Sequence, residues 1–485
     1  MAVAEKFADQ LDTWRYPVFT VGPDEEALKQ RILQNTYLEN INITAYDWDE
    51  HCSAVDSVLE KILLILKKYA NKEYEGLIIH GSLKQGSSRE GLKVNDALEF
   101  DCLVHFEIEG MQVTKCPVFD YSEEEMPEFI KLRVENPEYL LRIYPWLRRC
   151  KIFTKGGLND TNCYVNTKKL QEKVFKALVD KTREHIFKRL TPEDRIIYTY
   201  RRSVKPPSFP IQISLDREIS YAGDVYTRVT LQGATLPGQR KIPTLDIDIV
   251  PALLLRKDYV PNPYTVNNRN CEKEMTCAVY GVMKWTQRLH ESELTIDREY
   301  IWRESTCGYE KLICDVGRRN PSQRYLMTAC RIVKSYVTGI KSNRRETDQL
   351  HCVAVSYFLK NICFHCIVLL TVPSKTKSLS GVKEALGYFL QFLELCINSR
   401  NLPHFFYGNP WVHVMFPNCT FGSNKPEKNL YGRICKNTFI NAEKAFRKML
   451  QDLKGLYTEL DSLDPDRVGP FKELLGLTHE YRVPE

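Results

Sequence analysis

Apolar side chains at Trp48, Val55, Val58, Leu59, Ile62, Leu63 and Leu66 return every three to four positions, predicting one long amphipathic helix over residues 47–69 that ends in Lys67-Lys68-Tyr69. The period then changes. Residues 77–106 read as an apolar run, a glycine- and serine-rich loop, and a strand with apolar and polar positions alternating. Residues 113–152 alternate with proline interruptions, and Trp146-Leu147-Arg148-Arg149 is expected to turn back into a sheet. A basic amphipathic helix is expected over 166–190, a proline-rich loop over 204–210, and strands over 211–232 and 244–255. Residues 256–298 are polar and weakly periodic, the pattern of a crossover. From Tyr300 the spacing is helical, with helices expected over 325–338, 350–370, 382–399 and 441–456. A further helix over 25–38 is expected within an N-terminal extension of residues 1–45. The fold class that follows is α+β: a mixed central sheet, a long spine helix, and a helical C-terminal lobe. The expected division is 1–45, 46–255 and 256–485.

The candidate chemistry lies in the second stretch. In Leu98-Glu99-Phe100-Asp101-Cys102-Leu103-Val104 the strand period directs Glu99 and Asp101 to one face and Phe100 and Cys102 into the fold. Two carboxylates on one face repel each other unless a cation lies between them, and hard oxygen donors suit Mg²⁺. Gly81-Ser82 and Gly86-Ser87, just before the acids, each offer backbone N–H groups and a hydroxyl to a phosphate. Two-metal phosphoryl transfer needs a third carboxylate from a neighbouring strand. Asp248, in Leu245-Asp246-Ile247-Asp248-Ile249-Val250, is the first candidate, with Asp246 two residues earlier on the same face as the alternative.

At these residues the chain resembles the cGAS-like receptors, the metazoan relatives of cyclic GMP-AMP synthase. Gly86-Ser87-Ser88-Arg89-Glu90-Gly91-Leu92-Lys93-Val94 followed by Glu99-Phe100-Asp101 has that family's spacing, which selects Gly86-Ser87 over Gly81-Ser82. Further matches come in family order: Ile247-Asp248-Ile249-Val250-Pro251-Ala252-Leu253, Trp302-Arg303-Glu304-Ser305 with Glu310-Lys311, Cys330-Arg331-Ile332-Val333-Lys334-Ser335-Tyr336, and Ser356-Tyr357-Phe358-Leu359-Lys360. The resemblance covers residues 56–416. It implies a nucleotidyltransferase fold, with the catalytic lobe over 46–255 and the helical lobe closing the nucleotide cleft. It implies that Glu99, Asp101 and Asp248 hold two Mg²⁺ ions, for which Mn²⁺ can substitute, and that Gly86 and Ser87 contact a donor triphosphate. Arg303 and Ser305 would contact one nucleotide, and Lys334, Ser356, Tyr357 and Lys360 the other, with ATP and GTP as substrates of a cyclic dinucleotide synthase in innate immunity. The family's best-known member carries a zinc-binding insertion between the Glu-Lys motif and the lysine-bearing helix. Here residues 312–326 hold Cys314 alone and no His, so no structural zinc is expected. That segment, read as a loop, offers Arg318, Arg319 and Arg324, and loss of the zinc element points to double-stranded RNA or another pathogen-derived ligand as activator.

Composition narrows the setting. The 485 residues suffice for two or three lobes, and a net charge of +6 is compatible with a basic face for nucleic acid without requiring one. The helix over 166–190 bears Lys169, Lys173 and Lys176 among its cations, a candidate nucleic-acid face with Arg318 and Arg319. The sixteen Cys are scattered through apolar segments and read as reduced buried thiols of a cytoplasmic protein. His351, Cys352, Cys363, His365 and Cys366 spread around one helix and read as core packing. No secretory leader and no membrane span are expected. A catalytically silent interaction module and an enzyme that tails RNA ends are the competing functions. A homodimer on nucleic acid and a monomer both stay open as the active form.

Overall fold

The computed structural model describes residues 45–477 apart from 95–97, 121, 156–159, 190–210, 220–224, 234–243, 262–273, 284–297, 343–348, 373–377 and 423. The helix expected over 25–38 and the loop over 204–210 lie outside the described residues.

The predicted spine is a 29-residue helix, α1 (Ala45–Glu73). Trp48, Val55, Val58, Leu59, Ile62, Leu66 and Ala70 form its buried stripe. That stripe packs on one face of a sheet whose first strands are β1 (Leu77–Gln85) and β2 (Glu99–Ile108), separated by the one-turn helix α2 (Gly86–Glu90). Strand alternation sends Phe100, Cys102, Val104, Phe106 and Ile108 against α1, all nearly solvent-free. Each large apolar side chain so buried stabilises the fold by about 1.5–3 kcal/mol.

The sheet continues with β3 (Val113–Phe119), β4 (Glu125–Val134), β5 (Phe153–Lys155), β6 (Cys163–Val165), β7 (Ile211–Ile219), β8 (Val225–Gly233), β9 (Leu245–Pro261), β10 (Glu274–Met283) and β11 (Trp302–Ser305). Its order is β1-β2-β9-β10-β11-β4-β6-β5, with β3 on β4 and the β7–β8 hairpin on β9. It is mixed, because β2 and β9 run parallel while the other pairs are antiparallel. One side of β9 pairs with β8 from Leu245 to Ile249 and then with β10 from Ala252 onward. Pro251 stands at that changeover, where its missing N–H costs the ladder little.

Three local expectations are corrected. Residues 256–298 are not simply a crossover: β9 runs on to Pro261 and β10 returns beside it, so the sheet takes in residues on both sides of 255. Proline at the first helical position makes two short helices, α3 (Pro137–Ile143) and α4 (Pro145–Arg149), and Trp146-Leu147 packs as helix rather than re-entering the sheet. The basic helix is a run of α5 (Thr167–Leu170), a π-turn (Gln171–Phe175) and α6 (Lys176–Arg189); the Asn166 side chain caps it by accepting from the Lys169 N–H at 2.8 Å.

After β11 the chain is mostly helical: α7 (Cys307–Arg319), α8 (Pro321–Ser342), α9 (Leu350–Val353), α10 (Ser356–Thr371), α11 (Val382–Ser399), α12 (Val412–Met415), α13 (Lys436–Asp452) and α14 (Pro465–Leu474). These helices share a second core rich in Phe, Leu and Cys. His365 belongs to it, fully buried, with Nε2 2.9 Å from the Pro403 carbonyl. The cysteines among the described residues are free thiols, most of them buried. No described helix is long and apolar enough to cross a membrane.

Candidate active site

Parallel pairing of β2 with β9 brings the two acidic motifs into register: Glu99 opposite Asp246, and Asp101 opposite Asp248. All four acids share the face turned away from α1, because Phe100, Ile247 and Ile249 fill the other. On the far side β1 ends with Gln85 opposite Asp101, and the chain turns sharply at Gly86, whose φ is +75°. A Cβ there would collide with the Asp101 carboxylate, so only glycine lets this acid lie over the turn. Ser88 Oγ and Lys93 Nζ donate to the Glu99 carbonyl at 2.9 and 3.2 Å, tying the loop to β2.

The donor set suits a hard divalent cation. Desolvation, then the charges of Glu99 and Asp248, push the Asp101 carboxyl up to about 7, a deficit that a cation would relieve. As placed, however, no three His, Cys, Asp or Glu side chains among the described residues stand close enough together to hold an ion. Asp248 is already occupied. Arg228 on β8, in direct register with it, donates Nε–H to Oδ1 at 2.9 Å and Nη2–H to Oδ2 at 3.0 Å. Asp246 is likewise held from β8, by Thr230 Oγ1 at 2.7 Å. Burial raises the Asp248 carboxyl in spite of the Arg228 hydrogen bonds.

Of the four acids, Glu99 and Asp101 line a cavity of about 830 Å³ between the sheet and the helical lobe. Ser87, Lys93, Glu99 and Asp101 line one wall; Lys334 and Thr338 of α8, His351, and Ser356, Tyr357 and Lys360 of α10 line the other. Residues 350–370 were expected as one helix, but the chain breaks at Ala354-Val355 and restarts at Ser356. That break puts Ser356 and Tyr357 in a first turn facing the cavity, with Tyr357 40% exposed where helical periodicity alone implies core. The Phe406 N–H donates to His404 Nδ1 at 3.0 Å, so the neutral ring carries its proton on Nε2 and donates to Tyr357 Oη at 2.8 Å. Arg303 and Ser305 sit on β11, outside this lining; Ser305 Oγ accepts from the Cys307 N–H at 3.4 Å.

Several of the cations hold the chain's own loop. Lys360 Nζ donates to Glu90 at 3.1 and 3.2 Å and to Glu310 at 2.7 Å. Burial works against its charge, but those carboxylates more than offset this and keep it protonated. Lys334 Nζ donates to the Leu92 carbonyl at 3.0 Å, and burial, reinforced by Lys93 and Lys360, lowers it to about 8. Arg89 makes a fully buried bidentate pair with Asp315, and Arg318 Nη2 donates to the Arg89 carbonyl at 3.0 Å. Residues 312–326 are therefore not a loop but the end of α7 and the start of α8, and Arg318 points at the glycine-serine turn while Arg319 is exposed. On the basic helix Lys173 and Lys176 are exposed, Lys169 is partly buried, and Lys176 lies 3.7 Å from Asp180.

Sequence reading missed Arg228, Arg89, Asp315 and His404. Their partners are 20 to 226 residues away, and no local pattern links them.

Across the cavity Glu99 and Asp101 face Lys334, Lys360 and an exposed Tyr357, residue types that suit a divalent cation, a phosphate and an aromatic base respectively. No protein-family model matches the chain. No curated protein matches it. Among solved structures it is similar to E. coli MS115-1 CdnC in complex with HORMA-deltaN, at 11% identity over 93% of this chain and 96% of that chain, with a TM-score of 0.40. It is also similar to E. coli MS115-1 CdnC with ATP, at 12% identity over 93% and 97%, with a TM-score of 0.39.

Proposed function

We propose that the chain is a Mg²⁺-dependent nucleotidyltransferase that joins ATP and GTP into a cyclic dinucleotide after sensing double-stranded RNA or another pathogen-derived ligand in the cytoplasm. The observation that carries this reading is the register of Glu99 with Asp246 and Asp101 with Asp248 beside a cavity whose far wall bears Lys334, Tyr357 and Lys360.

Glu99, Asp101 and Asp248 would hold the ions once Asp248 is released from Arg228. Bound Mg²⁺ would supply Lewis acidity at the α-phosphate and lower the pKa of the attacking ribose hydroxyl. The Ser87 hydroxyl donates to a phosphate oxygen, the Tyr357 ring stacks on a base, and Lys334 and Lys360 offset triphosphate charge. Arg303 and Ser305 serve the second nucleotide. The ribose oxygen bonds to the α-phosphorus as the bond to pyrophosphate breaks, the hydroxyl proton leaves to solvent with Asp248 placed to help, and a second such step closes the ring. Because Lys334 and Lys360 are engaged by the chain's own loop, this reading requires a ligand that rearranges residues 86–92.

The test is incubation with radiolabelled ATP and GTP, Mg²⁺, and double-stranded RNA, double-stranded DNA or nothing, then phosphatase treatment and chromatography. A phosphatase-resistant product that needs one nucleic acid and is lost in Glu99→Ala/Asp101→Ala supports the reading. Linear products support a tailing enzyme instead; no product under any condition points to another activator or to a silent interaction module, and nucleotide binding separates those two. For the nucleic-acid face, Lys169→Glu/Lys173→Glu should weaken a salt-dependent gel shift with double-stranded RNA. Arg318 is a poor probe of that face, since reversing it also unseats the loop.

A further inference from the structure

Among the described residues Arg228 is the one cation that grips a carboxylate of the acidic strand pair with both oxygens engaged, and it reaches it from a strand neither motif includes. Its guanidinium carbon lies 5.5 Å from the centre of the Tyr226 ring, and Nη2 lies 3.4 Å from Tyr226 Oη. The side chain is thus aligned by stacking while remaining 32% exposed. A guanidinium offers the same two-pronged donor pattern to a carboxylate and to a phosphate. A divalent cation at Asp248 would have to share that carboxylate with Arg228 or replace it, and would then stand beside an uncompensated positive charge.

We propose that Arg228 is a positioning residue that reserves Asp248 and exchanges it for a nucleotide phosphate, so that metal occupies Asp248 together with nucleotide rather than ahead of it. Arg228 stands in for the metal until the triphosphate arrives. The phosphate then takes the guanidinium, which keeps its place on Tyr226, and the freed carboxylate completes the acidic set. Metal and nucleotide binding are coupled through one side chain, and the coupling is reciprocal. This inference rests on the reading of Glu99, Asp101 and Asp248 as metal ligands.

The experiment titrates Mn²⁺ and follows the free ion by electron paramagnetic resonance, with and without a non-hydrolysable α,β-methylene ATP analogue. It uses the full-length wild type, Arg228→Ala, Arg228→Gln and Asp248→Asn, each checked for a cooperative melt. Arg228→Gln keeps hydrogen-bonding capacity and serves where Arg228→Ala does not fold. Without nucleotide, Arg228→Ala and Arg228→Gln should bind Mn²⁺ about ten-fold more tightly than wild type, the order of one charge-assisted hydrogen-bonded pair. The analogue should tighten Mn²⁺ binding in wild type and do so much less in the Arg228 variants. Equal nucleotide-free affinities in wild type and both Arg228 variants, with Asp248→Asn weaker, would overturn the role of Arg228 while leaving the metal site standing. Mn²⁺ binding insensitive to Asp248→Asn in every background would overturn the metal-ligand reading and the inference with it.

Discussion

Arg89→Met tests what holds the loop over 86–92 against the helical lobe. Arg89 Nη1 and Nη2 meet Asp315 Oδ1 and Oδ2 at 3.1 and 2.9 Å, and the two side chains are 0% and 3% exposed. Removing one partner of a buried pair leaves the other charge desolvated and costs about 3–5 kcal/mol, whereas replacing both with apolar side chains of similar volume is about neutral or better. Arg89→Met and Asp315→Leu should each destabilise strongly, and the double variant should recover most of the loss. Because Lys360 on Glu90, Lys334 on the Leu92 carbonyl and Arg318 on the Arg89 carbonyl remain, the single variants should open this segment more than they unfold the molecule. The assay is native-state amide exchange over residues 86–92, read beside a core reference such as α11. A loss of 3–4 kcal/mol corresponds to about 10²- to 10³-fold faster exchange there in Arg89→Met. A coupling between the two substitutions below about 0.5 kcal/mol, the usual scatter of additive sites, would refute the reasoning.

Other expectations follow from the cavity walls. Gly86→Ala strains a φ of +75° and pushes the Asp101 carboxylate aside, so any product formed should fall by about 10²-fold with the melt little changed. Lys334 is depressed to about 8, so its charge is fully present below that pH and lost above it. Affinity for a triphosphate analogue should therefore fall as pH rises through 8, binding at pH 8 should take up a proton in calorimetry across buffers of different ionisation heat, and Lys334→Met should flatten both. His404→Phe removes the donor to Tyr357 Oη and the acceptor of the Phe406 N–H, and should weaken nucleotide binding about ten-fold. Tyr357→Phe, which keeps the ring, should weaken it much less, and equal losses in the two variants would contradict this.

Much of the site's frame is local and so was legible in the chain. Alternation with a period of two is enough to place Glu99 with Asp101, and Asp246 with Asp248, each pair on one strand face, because the opposite positions are Phe100, Cys102, Ile247 and Ile249, which must be buried. The stripe from Trp48 to Leu66 likewise implies the spine helix. Where local signals mislead, a tertiary term outweighs them. Residues 350–370 have an unbroken apolar pattern, yet the helix breaks at Ala354-Val355 and Tyr357 reaches the cavity, held by His404 from 47 positions away. Within residues 256–298, the end of β9 and β10 become strands through their pairing with each other, which no local pattern reveals.

What the amino-acid pattern determined by itself is which side chains share a face, since strand and helix periods are properties of the backbone. Which distant charges meet is settled by the packed fold alone: Arg228 on Asp248, Arg89 on Asp315, Lys360 on Glu90. An ion pair between distant elements leaves no periodic trace in sequence. Its partners are chosen by strand register and by the packing of the two cores, and those are set by the whole fold.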